Sequence, residues 1–131
     1  MNKKYILVQE ALATTATIFF LPLSTRPKHY PPIDMKGEYW HTGIIYKNKV
    51  YETFNNAKYR VSNLSSIKKD LDKQKAAYLT NIPIDPTKLS SELKSGTSCD
   101  EYVLRVTNKS NTKGKDKGKH NPTDVYRMLM I

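Results

Sequence analysis

The segment from Trp40 to Phe54 constrains this chain more than any other. Residues 41–46 and 50–54 are dense in β-branched and aromatic side chains, and Lys47-Asn48-Lys49 separates them. That is the pattern of two strands joined by a tight turn. His41–Tyr46 is therefore read as one strand, Val50–Phe54 as the return strand and Lys58–Asn63 as a third. Side chains alternate between the faces of a strand, so His41, Gly43 and Ile45 share one face and Thr42, Ile44 and Tyr46 the other. The same hairpin can bring Glu52 close to His41 on one face. The chain must contain an antiparallel sheet.

Other segments surround that sheet. Ala16–Leu21 reads as a buried strand ended by Pro22, and residues 5–13 have helix-forming composition. Pro27, Pro31, Pro32 and Gly37 punctuate Ser24–Glu38, so it is expected to be an extended surface loop. Ser65 or Ser66 can cap a helix to about Gln74 that exposes Lys68, Lys69, Asp70, Asp72 and Lys73. Ala77–Ile84 reads as a strand. Asp85-Pro86 opens a short helix to about Lys94, stopped by Gly96. Thr97 or Ser98 caps a helix from Cys99 to about Val106, with Tyr102, Val103 and Val106 as its buried stripe. Between Asn108 and His120 there are five Lys, two Gly and no apolar residue, which predicts a mobile loop. After it Asn121 caps a closing helix with Pro122 in first position and Val125, Met128 and Leu129 facing inward.

The expected fold class is α+β. A single domain over residues 1–131 has an antiparallel sheet of four to six strands, with the Cys99 helix packed across it and the thiol facing the His41 strand.

Charge bounds the partners. Twenty-two Lys and Arg against twelve Asp and Glu give a formal +10, which favours an anionic substrate or surface: nucleic acid, phospholipid or acidic cell-wall polymer. A single cysteine excludes an internal disulfide, and three histidines with it at scattered spacings match no zinc template, so neither metal nor cofactor is expected. The N-terminal run Ala11–Leu23 is thirteen residues long, short of the ~18 needed to span a bilayer. The expectation is an uncleaved cytoplasmic protein, with a signal peptide and secretion as the alternative.

Cys99 is the most informative single residue. At a helix N-terminus, unpaired backbone N–H groups and the positive end of the macrodipole favour a thiolate, so a lowered pKa is expected there. An isolated cysteine is otherwise a small buried hydrophobe. Thiol catalysis also needs a base and a group that holds the base in one tautomer, and Cys99, His41 and Glu52 supply that set. Tyr39 and Trp40 flank His41 and are candidates for an aromatic wall of the substrate cleft, or else for core packing. His29 and His120 fall in expected loops. Lys113, Lys115 and Lys117 read first as a solvated loop and second as an anion-binding arm.

These residues resemble a family. Trp40-His41-Thr42-Gly43-Ile44-Ile45-Tyr46 followed by Val50-Tyr51-Glu52 is similar to the His-x-Gly-Ile-Val and Val-Tyr-Glu strand pair of circularly permuted papain-like proteins of the NlpC superfamily, the branch with YiiX-like and lecithin:retinol acyltransferase-like proteins. Thr97-Ser98-Cys99-Asp100-Glu101-Tyr102-Val103 resembles their Tyr-Cys-Ser-Glu-Leu-Val helix start, and Asn121-Pro122-Thr123-Asp124-Val125 their Thr-Pro-x-Asp-Leu segment. The order, His41 and Glu52 before Cys99, is that of the permuted branch. The likeness covers roughly Tyr39–Met130 in short motifs. The lysine-rich loop, the long Pro-rich loop before His41, and Arg105 on the cysteine helix depart from the pattern.

The resemblance implies Cys99 as nucleophile, His41 as base and Glu52 as orienting residue, in a hydrolase or acyltransferase of cell-wall peptide amides or lipid acyl esters. The rival expectation is a non-catalytic phage or mobile-element accessory protein on the same fold, docking nucleic acid or a host protein through its basic surface.

Overall fold

The structure is a computed structural model, and it describes residues 14–27, 38–54, 58–109 and 120–130. The expected helix over 5–13, His29 with most of the Pro-rich segment, and the lysine loop with Lys113, Lys115 and Lys117 lie outside the described residues.

Among the described residues, five strands form one antiparallel sheet: β1 (Thr15–Pro22), β2 (Tyr39–Tyr46), β3 (Lys49–Thr53), β4 (Tyr59–Asn63) and β5 (Ala77–Pro83), in the order β4-β3-β2-β1-β5. A 3-10 turn, Leu23–Thr25, follows β1. Among the described residues, four helices pack on the sheet: α1 (Leu64–Lys73), α2 (Thr87–Leu93), α3 (Cys99–Val106) and α4 (Pro122–Leu129). The fold is α+β, as expected.

From Ile18 to Leu21, β1 is continuously apolar and buried because both of its faces are covered. Ile18 and Phe20 join Ile44 and meet Tyr102, Val103 and Val106 of α3, Leu89 and Leu93 of α2, and Val125 of α4. Phe19 and Leu21 point the other way and pack with Trp40, Val50 and Leu71 of α1. Three helices thus cover one face of the sheet, and the amphipathic α1 covers the other.

The hairpin is tighter than the sequence suggests. Lys47 and Asn48 have φ of 49° and 64°, and Tyr46 pairs directly with Lys49, so the turn has two residues, not three. Two successive positive-φ residues match the right-handed twist of the flanking strands. Gly43 has a packing reason: a Cβ there would lie 2.5 Å from the Phe19 ring and 3.0 Å from the Tyr51 carbonyl oxygen. Phe19 pairs with Gly43 across β1 and β2, so the ring occupies the space a side chain would need.

Two caps differ from expectation. α1 starts at Leu64, whose N–H donates to the Asn48 carbonyl at 2.8 Å, so the hairpin turn, not Ser65 or Ser66, satisfies its first amide. At α3, Ser98 holds the cap position, but its hydroxyl donates to Asp100 Oδ1 at 2.7 Å. The α4 cap forms as read: Asp124 N–H donates to Asn121 Oδ1 at 2.9 Å and Asn121 N–H to Asp124 Oδ2 at 3.1 Å. Thr123 Oγ1 then accepts from the N–H groups of Glu38 and Tyr39, at 2.8 and 3.0 Å, which ties α4 to the start of β2 beside His41.

Candidate active site

His41 and Glu52 are brought together. Both are buried, and His41 Nε2 lies 2.8 Å from Glu52 Oε2. The sheet makes this contact: Ile45 faces Val50, and the same register carried toward the strand ends sets His41 beside the Glu52 side of β3.

A third residue completes the pair. Arg60, directly opposite Glu52 on β4, donates from Nε and Nη2 to Glu52 Oε1 at 3.1 and 2.8 Å. Burial alone raises the Glu52 pKa; hydrogen bonds and charge from His41 and Arg60 outweigh it, and the carboxyl ends below its ordinary value. An ionised carboxylate only accepts, so the His41 proton is assigned to Nε2 and the lone pair to Nδ1.

Nδ1 is buried and has no hydrogen-bond partner among the described residues. Few buried polar atoms are left so. The imidazole is otherwise held by rings: Phe54 stacks on it at 5.1 Å and 6°, Trp40 at 5.2 Å and 29°, and Phe19 meets it edge-on at 5.9 Å.

Cys99 is the first residue of α3 and is 3% exposed. α3 packs against β2, as expected for a thiol facing the His41 strand. The N–H groups of Thr42, Asp100 and Cys99 itself act on the sulfur to favour the thiolate. The Thr42 contact is available because the β2–β3 ladder runs only from Tyr46–Lys49 to Ile44–Tyr51. The ladder ends there, and strand parity aims the Thr42 amide towards the β3 side, where it has no ladder partner. The sulfur therefore meets the sheet one residue from His41. Thr53 Oγ1, across from Thr42 by the same register, is also buried without a partner.

One expectation is reversed. The helix N-terminus was expected to lower the thiol pKa, but burial, reinforced by the neighbouring Asp100 carboxylate, pushes it up to about 12. The amide donors act in the expected direction and are outweighed. No hydrogen bond joins the sulfur to His41 Nδ1 in this conformation. The structure holds a His41–Glu52–Arg60 unit, and the Cys99 thiol, kept protonated by burial, meets the same strand at the Thr42 amide.

The two aromatic candidates have structural partners. Tyr39 packs with Phe20 and Tyr126, at ring distances of 5.4 and 5.1 Å, within the helix-side core. Trp40 is buried, stacks on His41 and donates from Nε1 to Thr25 Oγ1 at 3.1 Å. Trp40 thus supports the imidazole. Arg60 and Phe54 escaped the sequence reading; the only signal was an opposite charge on the next expected strand, facing Glu52 across a loop.

Among the described residues, no cluster of three His, Cys, Asp or Glu side chains is arranged to hold a metal, and no helix is long and apolar enough to cross a membrane. Comparison of the chain with protein-family models, with curated proteins and with solved structures finds no match.

Proposed function

We propose that this protein is a cysteine-dependent hydrolase or acyltransferase acting on an amide or ester bond through a thioester, on a fold resembling the permuted papain-like proteins of the NlpC superfamily. The observation that carries this reading is the buried imidazole whose Nε2 is committed to Glu52 while Nδ1, the side left for a thiol proton, has no partner.

Cys99 attacks the acyl carbon as its proton passes to His41 Nδ1; a thiol with a pKa of about 12 requires this transfer to accompany attack. The resulting imidazolium is held by Glu52. The Cys99 N–H at the helix start helps stabilise the tetrahedral oxyanion. His41 returns the proton to the leaving amine or alkoxide, leaving a thioester. Water, or an acceptor amine or alcohol, then gives its proton to Nδ1 as it attacks the thioester carbon; the C–S bond breaks, the acyl group leaves on the acceptor, and the Cys99 sulfur takes the proton back from Nδ1. A formal charge of +10 suits an anionic cell-wall polymer or an anionic lipid surface as the substrate's setting.

The test is intact-mass spectrometry after exposure to an acyl-mimetic, thiol-directed probe. The expected result is one adduct on Cys99, absent in Cys99→Ser and formed at least about a hundredfold more slowly in His41→Ala, the scale of general base catalysis. Labelling indifferent to His41 removes the catalytic reading.

The second reading, a non-catalytic accessory protein binding an anionic partner, draws on Cys99 being 3% exposed with its thiol pushed up, the condition of an inert buried cysteine. On that reading Cys99→Ala leaves binding to an anionic polymer intact, and binding weakens steeply with salt.

A further inference from the structure

We propose that Arg60 is the positioning residue of this site: its two-point grip on Glu52 Oε1 reserves Oε2 for His41 and so fixes the imidazole in the Nε2–H tautomer. The inference rests on the reading of His41 as the base, and it concerns what makes His41 competent.

The geometry is asymmetric in a useful way. Glu52 is 2% exposed, whereas the Arg60 side chain is 56% exposed and reaches it from the edge strand β4. An exposed ion pair between two mobile side chains contributes little. Here one partner is a buried carboxylate, and both Nε and Nη2 hold the same oxygen, at 3.1 and 2.8 Å. A carboxylate bonded only to an imidazole can rotate, exchange its oxygens or accept the imidazole proton. Two donations from one guanidinium to Oε1 oppose that rotation, and the added positive charge keeps the carboxylate ionised and therefore accepting.

A second contact acts on the same ring. The Arg60 guanidinium lies 5.5 Å from the centre of the Phe54 ring, and Phe54 stacks on His41 at 5.1 Å and 6°. Arg60 therefore restrains His41 along two routes, one through the carboxylate and one through the aromatic stack. Lysine at this position would supply the charge without the planar fork.

The experiment is nitrogen-15 NMR of the His41 imidazole in the full chain at neutral pH, with Arg60→Gln and Arg60→Lys, alongside the rate of Cys99 labelling by the acyl-mimetic probe. The expected result is a single Nε2–H tautomer in the wild type and a mixture in Arg60→Gln. Arg60→Lys should fall between them. Labelling should slow by roughly tenfold to a hundredfold in Arg60→Gln, the scale of a mispositioned group. A wild-type tautomer signature in Arg60→Gln overturns the proposal, and so does a mixture already present in the wild type. If the tautomer shifts in Arg60→Gln while labelling ignores both Arg60 and His41, Arg60 still positions the ring and the thiol mechanism is what fails. Should Arg60→Gln fail to fold, Arg60→Lys carries the same comparison.

Discussion

At the scale of single residues, Cys99 and Asp100 are set against each other. Asp100 is buried, Ser98 holds its carboxylate, and its charge is second only to burial in keeping the neighbouring thiol protonated. Removing that charge favours the thiolate, so Asp100→Asn should lower the apparent pKa of Cys99 and speed its alkylation by iodoacetamide at pH 8. The rate–pH profile measures both; an unchanged profile would mean that Asp100 does not act on the sulfur. Gly43 makes the opposite kind of demand. Gly43→Ala drives a methyl into a fully buried phenyl ring and towards a backbone oxygen, and should destabilise the fold by about 1–3 kcal/mol in urea melts, the range for overpacking. Phe19→Leu in the same background should recover part of that loss. The need for glycine at position 43 came only with the register. The Cys99 environment was half legible: the sequence shows the helix start that favours the anion, whereas the burial that outweighs it comes from tertiary packing, in which α3 lies chiefly against β2, a strand far from it in the chain.

At the scale of elements, the β3–β4 pair and the α4 cap make separate claims. Glu52 joins three strands, taking His41 from β2 and Arg60 from β4. Its pKa in the folded protein lies below the ordinary 4.5, so its ionised form adds stability that is fully present above that value and is lost as pH falls through the lower, folded value. The stability difference between wild type and Glu52→Gln should therefore be larger at pH 7 than at pH 3 in parallel urea titrations. An equal gap at both would mean that Glu52 acts through packing alone. Asp100 works in the opposite sense, since burial raises its pKa and its ionisation opposes folding. The α4 capping box is local, and Asn121→Ala should cost about 1 kcal/mol. Local chemistry explains which elements the sequence revealed: the Asn121-Pro122 start, the hairpin around Lys47-Asn48 and the apolar β1 carry their signals within a few residues. The start of α1 does not, because its first amide is satisfied by Asn48 on the hairpin turn.

At the scale of the whole molecule, one sheet presents two different faces. Ile18, Phe20 and Ile44 seat the helix that carries Cys99, while Phe19, Leu21 and Val50 lie on the side where α1 packs and His41 meets Phe19. The sulfur reaches the sheet at the Thr42 amide, the residue after His41, where the β2–β3 ladder has ended. Strand alternation in the sequence paired His41 with Glu52 correctly, but the Arg60 contact depends on the pairing of β3 with β4 and the sulfur's surroundings on where the β2–β3 ladder ends. The central claim is that Cys99, His41 and Glu52 act as one unit on an acyl group. Its most direct measurement is stopped-flow hydrolysis of a p-nitrophenyl ester, in wild type and in Cys99→Ser, His41→Ala and Glu52→Gln. The predicted result is a burst of p-nitrophenolate equal to the protein concentration, abolished without Cys99 and strongly slowed without His41, with the loss in the His41→Ala, Glu52→Gln double variant far smaller than the product of the single losses. Release that shows no burst, or that proceeds equally in Cys99→Ser, would contradict it.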